Sequence, residues 1–436
     1  MGKSTSIFLF CLTVGFLVSV GTLFAGGAKE QAAGSSVKPT TLTLWHNYGT
    51  EANTTATVNL VKAFEKTHPN IKINVVSQPA QNYFALLQSA AISKTGPDIA
   101  VMWTGLFDLE YKDFLVNLNK YIPLSVLRKF KGIQWTAANF NPASGVYVVP
   151  LEDQFYIGFY NKALFKQAGV SRVPQDWSQL YAACTKLKSI GVTPMLYGSG
   201  SQNLNATFYP WYDFSYLMIG ILSPAQWRWL YDGSIPYTSP QVVSQMDNWV
   251  KLHQMGCANS DPLTTHNTVN TFNSGKAAMI IKGTWETTAF QQALGNKLGV
   301  FVPPFSNAPI HGVVQYAGDG YSITTYSPHK RLAAEFLRYL ATPQAQRIVD
   351  QSGLIPDLQG FSTSNSANQE MLDFAAKQGF TPYPMIDNVT QQNVVNAGSQ
   401  VLDAAFAGQM SVQAAMQKMA DSLKHLPANQ RSATYN

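Results

Sequence analysis

Hydrophobic and polar positions along the chain predict strands and helices in turn. Residues 41–45 alternate as in a strand, and the spacing of Ala56, Leu60 and Phe64 predicts an amphipathic helix after it. A second strand over 71–76, a second helix around 83–90 and an apolar strand over 99–103 follow, with the turn sequences 68–70 and 96–98 between them. This β-α-β-α-β order predicts an α/β lobe with a mostly parallel sheet.

The same alternation predicts a second α/β lobe that begins near residue 152. A strand over 146–151 ends the first pass, and a strand-like stretch and two helices follow over 156–160, 161–168 and 174–189. The pattern resumes with a strand at 277–281, a strand at 321–325 and C-terminal helices near 391–407 and 411–423.

Residues 197–240 show little periodicity and are rich in aromatic residues and proline. We interpret this stretch as a long ordered loop, because its aromatic content argues against disorder. Trp227, Trp229 and Trp249 are expected to be structural, since a tryptophan is more often packed than free for a ligand.

Composition narrows the class of protein. The chain has 436 residues, 46% of them hydrophobic and 12% charged, which is enough for two or three domains with large cores and unlike disordered, collagen-like or coiled-coil chains. The formal net charge is +6, but the basic residues are scattered, so we expect no nucleic-acid partner.

The N-terminus has the pattern of an export signal. Lys3 precedes an apolar core over 7–20, and small residues follow at 25–28, so we predict a signal peptide over 1–25 with cleavage after Ala25 or Ala28, and a tether over 26–39. The alternative is a single membrane anchor, because the apolar run is nearly long enough to span. Cys11 lies inside the apolar core and so does not form a lipobox, and we expect a periplasmic or secreted protein.

Motifs for catalysis, metal binding and cofactor binding are missing from the sequence. It contains no G-x-S-x-G, H-E-x-x-H, C-x-x-C or P-loop motif, its seven histidines are dispersed, and Gly318-Asp319-Gly320 lacks the third glycine of a dinucleotide fingerprint. We therefore expect no metal and no cofactor. Cys184 and Cys257 could form a disulfide in an oxidising compartment or remain two buried thiols.

Aromatic, amide and carboxyl side chains recur where predicted strands end. A pyranose has an apolar C–H face and a rim of hydroxyls, so a sugar site needs flat aromatic surfaces together with planar hydrogen-bonding groups. Strand ends are also where open α/β sheets bind ligands. The candidates are Trp45, His46, Asn47, Glu51, Trp103, Asp153, Gln154, Phe208, Trp211, Tyr212, Trp285, Asp319 and Tyr321.

Glu152 and Asp153 are also candidates for the acid and base of a glycosidase. Adjacent residues on an extended segment point to opposite faces, which disfavours that role. A secreted glycan-cleaving enzyme nevertheless stays open as an alternative.

Four stretches resemble the maltose-binding-protein-like, sugar-binding group of extracellular solute-binding proteins that serve ATP-driven (ABC) importers. They are residues 42–76, 146–170 with 173–187, 271–285 and 318–346. The resemblance implies a two-lobed, type II periplasmic-binding-protein-like α/β fold with a ligand cleft between lobes and hinge closure. Lobe 1 would comprise 40–151 and 308–356, and lobe 2 would comprise 152–307 and 357–436.

The resemblance also implies roles for individual positions. Trp285 matches the stacking tryptophan of the family, Trp103 follows the matching Gly-Pro-Asp strand, Trp211 lies in the matching aromatic loop, and Asp153 or Gln154 matches a family acid or amide. The Asp-Lys pair that maltose binders carry after the first strand is replaced by Trp45-His46-Asn47, so we do not expect maltose itself to be the ligand.

The sequence thus predicts a monomeric, non-catalytic receptor that binds a small-molecule carbohydrate and hands it to the membrane permease subunits of an ABC importer. The tryptophans expected to stack on sugar are Trp103, Trp211 and Trp285. The residues expected to bond hydroxyls are Asn47, Glu51, Asp153, Gln154 and Asp319. A protein of the same fold that binds an anionic or amine solute is the other alternative. The short segments that hold the candidate site residues contain no arginine, which favours a neutral ligand.

Overall fold

The computed structural model describes residues 39–48, 52–79, 82–138, 141–198 and 210–431. The predicted leader, residues 26–38 of the predicted tether, Glu51 and Phe208 lie outside the described residues, and the side chain of Trp211 is not described.

The strands of the described residues fall at or near the positions that alternation predicts in the first lobe, with further short strands in the second. They are β1 Thr40–His46, β2 Ile71–Ser77, β3 Ile99–Met102, β4 Val149–Pro150, β5 Asp153–Asn161, β6 Thr193–Leu196, β7 Ala277–Gly283, β8 Leu298–Phe301, β9 Gly312–Ala317, β10 Gly320–Ile323 and β11 Thr381–Tyr383.

Helices lie between and after these strands. Side-chain caps mark several N-termini: Asn161, Asp176 and Ser411 each accept a backbone N–H from the first turn of the helix that follows. The helices are α1 Ala52–Thr67, α2 Tyr83–Ser93, α3 Leu106–Glu110, α4 Leu124–Leu127, α5 Lys162–Gln167, α6 Trp177–Ser189, α7 Pro210–Ile219, α8 Pro224–Tyr231, α9 Pro240–Gln254, α10 Thr268–Asn273, α11 Thr287–Leu294, α12 Lys330–Tyr339, α13 Pro343–Gln351, α14 Ser366–Gln378, α15 Gln392–Phe406 and α16 Val412–Lys424.

The first sheet has the strand order β2-β1-β3-β10-β4. β1 pairs in parallel with β2 and β3, whereas β10 is antiparallel to β3 and β4. Leu42 and Leu44 of β1 are buried in a core that also holds Leu60 and Phe64 of α1 and Phe336 of α12, so the apolar side of each amphipathic element faces the sheet.

The second sheet has the order β11-β9-β5-β7-β6, with β8 also pairing β5. β5 is antiparallel to β7, β8 and β9. Both faces of this sheet are covered, because Tyr156 and Met279 belong to one apolar core and Phe155, Ile157 and Ile280 to another. The near-continuous burial of β5 and β7 follows from this two-sided packing.

Three segments pass side by side between the two sheets. The first joins β4 to β5 at Leu151 and Glu152, and the second joins β9 to β10 at Gly318 and Asp319. Gly318 N donates to Glu152 O at 2.8 Å, and Leu151 N donates to Asp319 O at 2.9 Å. The third segment, 354–358, lies against the first segment, and Asp153 N donates to Ile355 O at 2.9 Å.

One predicted lobe boundary does not agree with the strand pairing. The predicted return to lobe 1 at residue 308 would place β9 in the first lobe, but β9 pairs with β5 and β11 of the second sheet. The chain returns to the first sheet at Gly318, because β9 runs antiparallel to β5 and its last residue, Ala317, pairs with Asp153 at the start of β5, beside the crossing.

The aromatic region also differs from its prediction. Residues 210–231, which the sequence predicts as part of a long loop, form α7 and α8. Trp227 and Trp249 are buried as expected, whereas Trp229 is 47% exposed. Across the residues that the structure describes, no helix is both long and apolar enough to span a membrane.

Candidate ligand-binding site

The carboxyl ends of strands from both sheets meet at the crossing segments. Met102, the last residue of β3, pairs with Gly320, directly after the second crossing segment. Gly283, the last residue of β7, pairs with Tyr156, shortly after the first crossing segment. Residues that follow these strands, including Trp103 and Trp285, therefore lie near the crossing from opposite lobes.

Glu152 is fully buried in the first crossing segment. Its Oε1 accepts hydrogen bonds from Asn53 Nδ2 of α1 at 2.5 Å and from Gln154 Nε2 of β5 at 2.8 Å, while Oε2 is buried with no hydrogen-bond partner in the described structure. Burial raises the pKa of Glu152 to about 7, and the bonds from Gln154 and Asn53 act in the opposite direction. A carboxyl group with one unused oxygen therefore lies between the lobes.

Tyrosines from both lobes flank Glu152 and Asp319. Tyr48, just after β1, is buried, and its hydroxyl has no hydrogen-bond partner in the described part of the chain. Burial raises the pKa of Tyr48 well above its ordinary value, and the nearby Asp319 and Glu152 raise it further. Burial likewise raises the pKa of Tyr316 in β9, with added contributions from Asp387, Asp319 and Glu152. We call Tyr48, Asn53, Glu152, Gln154, Tyr316 and Asp319 the crossing cluster.

The glycines of Gly318-Asp319-Gly320 have a packing role in this cluster. A Cβ on Gly318 would lie 2.6 Å from Cγ of Gln154 and 2.9 Å from Cγ of Glu152, and a Cβ on Gly320 would lie 2.2 Å from Val149 O. The two crossing segments could not approach so closely with side chains at these positions. Close approach of backbone segments thus accounts for the glycine pair that the sequence presents.

Asp153 lies on the opposite face of the strand from Glu152 and Gln154, as alternation requires. Its Oδ2 forms an ion pair with Lys131 Nζ at 3.0 Å, and Gln315 Nε2 donates to both carboxyl oxygens. Burial raises the pKa of Asp153, while the Lys131 cation opposes the rise. The structure therefore places this predicted hydroxyl-bonding residue in a hinge ion pair, apart from the crossing cluster.

Other predicted residues serve the first-lobe core. Tyr321 is fully buried, its hydroxyl lies 2.6 Å from Thr57 Oγ1, and its ring packs edge-on against Phe336. His46 is 2% exposed, and burial lowers its pKa. Trp45 is half-buried and packs against the same core. All three side chains contribute to the packing of the first lobe. His46 also stacks on Tyr48 of the crossing cluster, with a ring-centroid distance of 5.7 Å.

Asn47, which follows Trp45 and His46, is a candidate hydrogen-bond acceptor. Its Oδ1 is buried and has no hydrogen-bond partner among the described residues, and the next residue in sequence is Tyr48 of the crossing cluster. It is therefore an acceptor available next to the cluster.

Half-buried aromatic rings lie on both sides of the crossing. Trp285 packs over Gly283 so closely that a Cβ on Gly283 would be 1.8 Å from Cζ3 of the indole. Tyr212 of α7 lies with its ring centroid 5.6 Å from that of Tyr156 in the same lobe. In the first lobe, Trp103 meets Phe84 edge-on with a centroid distance of 4.8 Å. Partial exposure leaves these three rings with surface to offer a ligand.

The two lobes also touch beyond the crossing segments. Asn388 Nδ2 of the second lobe donates to Thr104 O at 2.5 Å, and a Cβ on Gly105 would lie 2.1 Å from Asn388 O. Glu110 Oε1 accepts from Gln392 N at 2.9 Å. The loop after β3 and helix α3 thus close against the start of α15 and the turn before it.

Sequence reasoning did not select Tyr48, Asn53, Tyr316, Asp387 or Asn388 for the site. Tyr48 and Asn53 both follow the end of β1, and Tyr316 precedes Gly318-Asp319, so the strand-end signal could have included them. Asp387 and Asn388 lie in a segment with no strand-end signal, and their relation to the site is seen only in the fold, where Asn388 bonds to Thr104 and Asp387 acts on Tyr316. Burial raises the pKa of Asp387 to about 7.

The site offers hydrogen-bonding groups and aromatic faces rather than ligands for a metal. Among the described residues, no group of three or more His, Cys, Asp and Glu side chains could hold a metal ion. Two α/β lobes that meet at three crossing segments, with polar groups and aromatic rings between them, define a two-lobed binding protein.

Comparison with known proteins gives the family. The family model described as bacterial extracellular solute-binding protein matches residues 48–347, and the chain belongs to that family. The galactooligosaccharide-binding protein of Bacillus subtilis (strain 168) is 24% identical over 350 residues, which cover 78% of this chain and 77% of the relative.

Solved structures share the fold. A chitin oligosaccharide binding protein superposes with a TM-score of 0.76 at 19% identity, covering 88% of this chain and 98% of that one. The bacterial solute receptor AcbH, described as having an exclusive preference for β-D-galactopyranose, superposes with a TM-score of 0.75 at 17% identity and covers the same shares. The predicted family resemblance and the two-lobed α/β fold class are confirmed.

Proposed function

We propose that this protein captures a sugar or oligosaccharide in the cleft between its lobes and delivers it to an ATP-driven membrane importer. The observation that carries the proposal is the crossing cluster. Among the described residues, Glu152 Oε2 and the Tyr48 hydroxyl are buried without hydrogen-bond partners between two lobes that both present aromatic rings. Unused polar atoms beside flat apolar surfaces match a pyranose, which has hydroxyls on its rim and C–H groups on its faces.

The proposed roles follow the geometry. Trp285, Trp103 and Tyr212 offer ring surface, and Asn47, Glu152, Gln154 and Asp319 offer hydrogen bonds. Trp211, Glu51 and Phe208 remain predictions from sequence. The described relatives that bind oligosaccharides or galactopyranose support a carbohydrate as the ligand.

Closure of the lobes gives a signal for delivery. A ligand that contacts Trp103 in one lobe and Trp285 in the other stabilises the closed arrangement over the open one. The contacts of Thr104 and Glu110 with the second lobe are of the kind that closure would form. The closed surface would be what the permease subunits recognise.

A thermal-shift screen followed by calorimetry tests this function. The purified protein is tested against neutral mono- and oligosaccharides, amino sugars, polyamines, amino acids and organic acids. A ligand present at 100 times its dissociation constant adds about 2.7 kcal/mol to the free energy of unfolding, which gives a clear shift. Stabilisation by neutral sugars supports the proposal, while a response confined to charged solutes rejects the carbohydrate assignment and keeps the fold.

Hydrolysis of a bound oligosaccharide would distinguish a glycan-cleaving enzyme from a binding protein. The only member of the Glu152-Asp153 pair in the crossing cluster is Glu152, since Asp153 bonds to Lys131 and Gln315 on the other face. This arrangement supports binding without catalysis. Chromatography of a bound oligosaccharide after prolonged incubation would return it intact, and the appearance of shorter products would favour a glycan-cleaving enzyme.

We further propose that the protein is exported, loses residues 1–25 and acts as a monomer in the periplasm or outside the cell. Membership of an extracellular family supports export. The intact mass of protein recovered from the periplasm of a bacterial host would give the cleavage site, and light scattering would give the oligomeric state.

A further inference from the structure

Two cysteines lie together in the main core of the second lobe. Cys184 is in α6, and Cys257 follows the C-terminus of α9. They are 1% and 2% exposed, and both are free thiols in the structure. They are far apart in sequence but belong to the same packed core.

The contact between α6 and the end of α9 is fixed on both sides of Cys184. Tyr181 Oη donates to Asn248 O at 2.9 Å, and Lys188 Nζ donates to Met255 O at 2.8 Å. Tyr181, Cys184 and Lys188 have the spacing of one helix face, so Cys184 lies between these two contacts and faces the same partner.

Two backbone hydrogen bonds fix the position of Cys257. Its N–H donates to Leu252 O at 2.7 Å, and its carbonyl accepts from Met195 N at 2.9 Å. The first bond ties Cys257 to α9 and the second ties it to β6. Cys257 is therefore held at a fixed position at the end of α9, the segment that α6 contacts on both sides of Cys184.

The two thiols influence each other's ionisation. Cys184 lowers the pKa of Cys257, and the Lys188 cation lowers it further, although burial acts in the opposite direction. Cys257 and burial in turn raise the pKa of Cys184. Cys257 is accordingly the member of the pair that ionises first and is the better attacking group.

We propose that Cys184 and Cys257 form a structural disulfide bond in the exported protein. The geometry supplies the pair, and the extracellular family places the chain where disulfides form and persist. This inference goes beyond the proposed function, because it does not depend on which solute is bound.

The bond would form by thiol–disulfide exchange with an oxidised thiol–disulfide oxidoreductase. The Cys257 thiolate attacks one sulfur of the oxidant's disulfide, forms a mixed disulfide and releases the first oxidant thiolate. The Cys184 thiol then gives up its proton and attacks the Cys257 sulfur, which expels the second thiolate. Both oxidant sulfurs leave as thiols with the two protons, and the two electrons of the pair reduce the oxidant. Because both cysteines are buried in the folded lobe, the exchange takes place late in folding, when α6 and the end of α9 are already in contact but the pair is still accessible to the oxidant.

Peptide mapping of the wild-type protein tests the bond directly. The protein is exported into the periplasm of a bacterial host, denatured with an alkylating reagent and digested with trypsin without reductant. Cys184 lies in the peptide 173–186 and Cys257 in the peptide 252–276, and each peptide contains one cysteine. We expect a linked pair lighter than the two peptides by two hydrogen atoms, which separates on reduction. Recovery of both peptides in alkylated form would overturn the proposal.

Thermal unfolding gives a second test. We expect reductant to lower the unfolding midpoint of the wild-type protein by about 5 °C, since the bond closes a long loop. The double variant Cys184→Ala/Cys257→Ala should show no response to reductant, while its sugar affinity should match the wild type because the pair is remote from the crossing cluster. An equal response of both proteins would contradict a stabilising bond. If the double variant fails to fold, the peptide map of the wild type still decides.

Discussion

Asn53 Nδ2 donates a hydrogen bond to Glu152 Oε1 at 2.5 Å, and this contact joins the first turn of α1 to the segment that crosses between the lobes. Gln154 of the second sheet donates to the same oxygen at 2.8 Å. One buried carboxyl oxygen therefore receives a donor from each lobe. The other oxygen of Glu152 stays available for a ligand.

The first prediction concerns stability and pH at Glu152. Burial raises its pKa from 4.5 to about 7 in the folded protein. Between pH 4.5 and 7 the unfolded chain gives up this proton while the folded chain keeps it, so the free energy of unfolding falls as pH rises and stays low above 7. The contribution over this window is up to about 3 kcal/mol. In Glu152→Gln the group no longer titrates, so wild-type stability relative to the variant should fall by about this amount from pH 4.5 to 7.5.

Denaturant unfolding at a series of pH values measures this difference. Glu370→Gln is the matched control, because Glu370 pairs with Lys162 at the surface and its side chain is 50% exposed. The control should track the wild type across the whole series. A Glu152→Gln curve that stays parallel to the wild type would contradict the buried, neutral carboxyl.

A helix or strand could be predicted from the sequence where one of its faces is polar and the other is buried. β1 shows alternation because Leu42 and Leu44 point into the core while Thr43 between them is less buried. Helix α7 gave no such signal, since every residue from Asp213 to Ile219 is buried and the helical period has no polar side to mark it. The sequence therefore predicted the first lobe well and the aromatic region poorly.

The sequence could identify site residues at the ends of strands, but it could not tell which face of a strand lies toward the site. The strand-end rule selected Gln154 and Asp319, both in the crossing cluster, and also Asp153. Alternation shows that Asp153 and Gln154 point to opposite faces, but which face meets the cluster depends on where the second crossing segment lies. Gly318, distant in sequence, packs on the face of Glu152 and Gln154, and only the fold reveals that contact.

The second prediction is that Trp285→Ala weakens sugar binding by about fivefold or more, since it removes an aromatic face worth roughly 1 kcal/mol or more to a stacked ring. Isothermal titration with the best sugar from the screen measures the effect. Trp229→Ala is the matched control, because Trp229 is an exposed tryptophan of the same lobe on α8 and should leave the dissociation constant unchanged. Equal affinities of the wild type and Trp285→Ala would remove Trp285 from the site.

The third prediction uses Gly283 to move the same indole without deleting it. An added Cβ would lie 1.8 Å from Cζ3 and 2.0 Å from Cη2 of Trp285, so the ring must shift in Gly283→Ala. We expect weaker sugar binding in this variant. In the Trp285→Ala background the same change should add little, because the ring that it displaces is gone. Losses of affinity that add in the double variant would show that Gly283 acts by another route.

The fourth prediction concerns the hinge ion pair. The Asp153 side chain is 2% exposed, so Lys131→Met would leave a buried carboxylate with hydrogen bonds from Gln315 but no cation. We expect a loss of about 3 kcal/mol in the free energy of unfolding. Lys72→Met is the matched control, since the Lys72–Glu65 pair lies at the surface and its loss should cost less than about 1 kcal/mol.

Sugar affinity separates a structural role of this pair from a role in binding. The variant Lys131→Met/Asp153→Asn should recover part of the stability, because the uncompensated charge is removed together with its partner. Its sugar affinity should stay near that of the wild type, since Asp153 lies on the face of β5 away from Glu152 and Gln154. A large loss of affinity in this folded double variant would instead return Asp153 to the residues that contact the ligand, as the sequence resemblance implies.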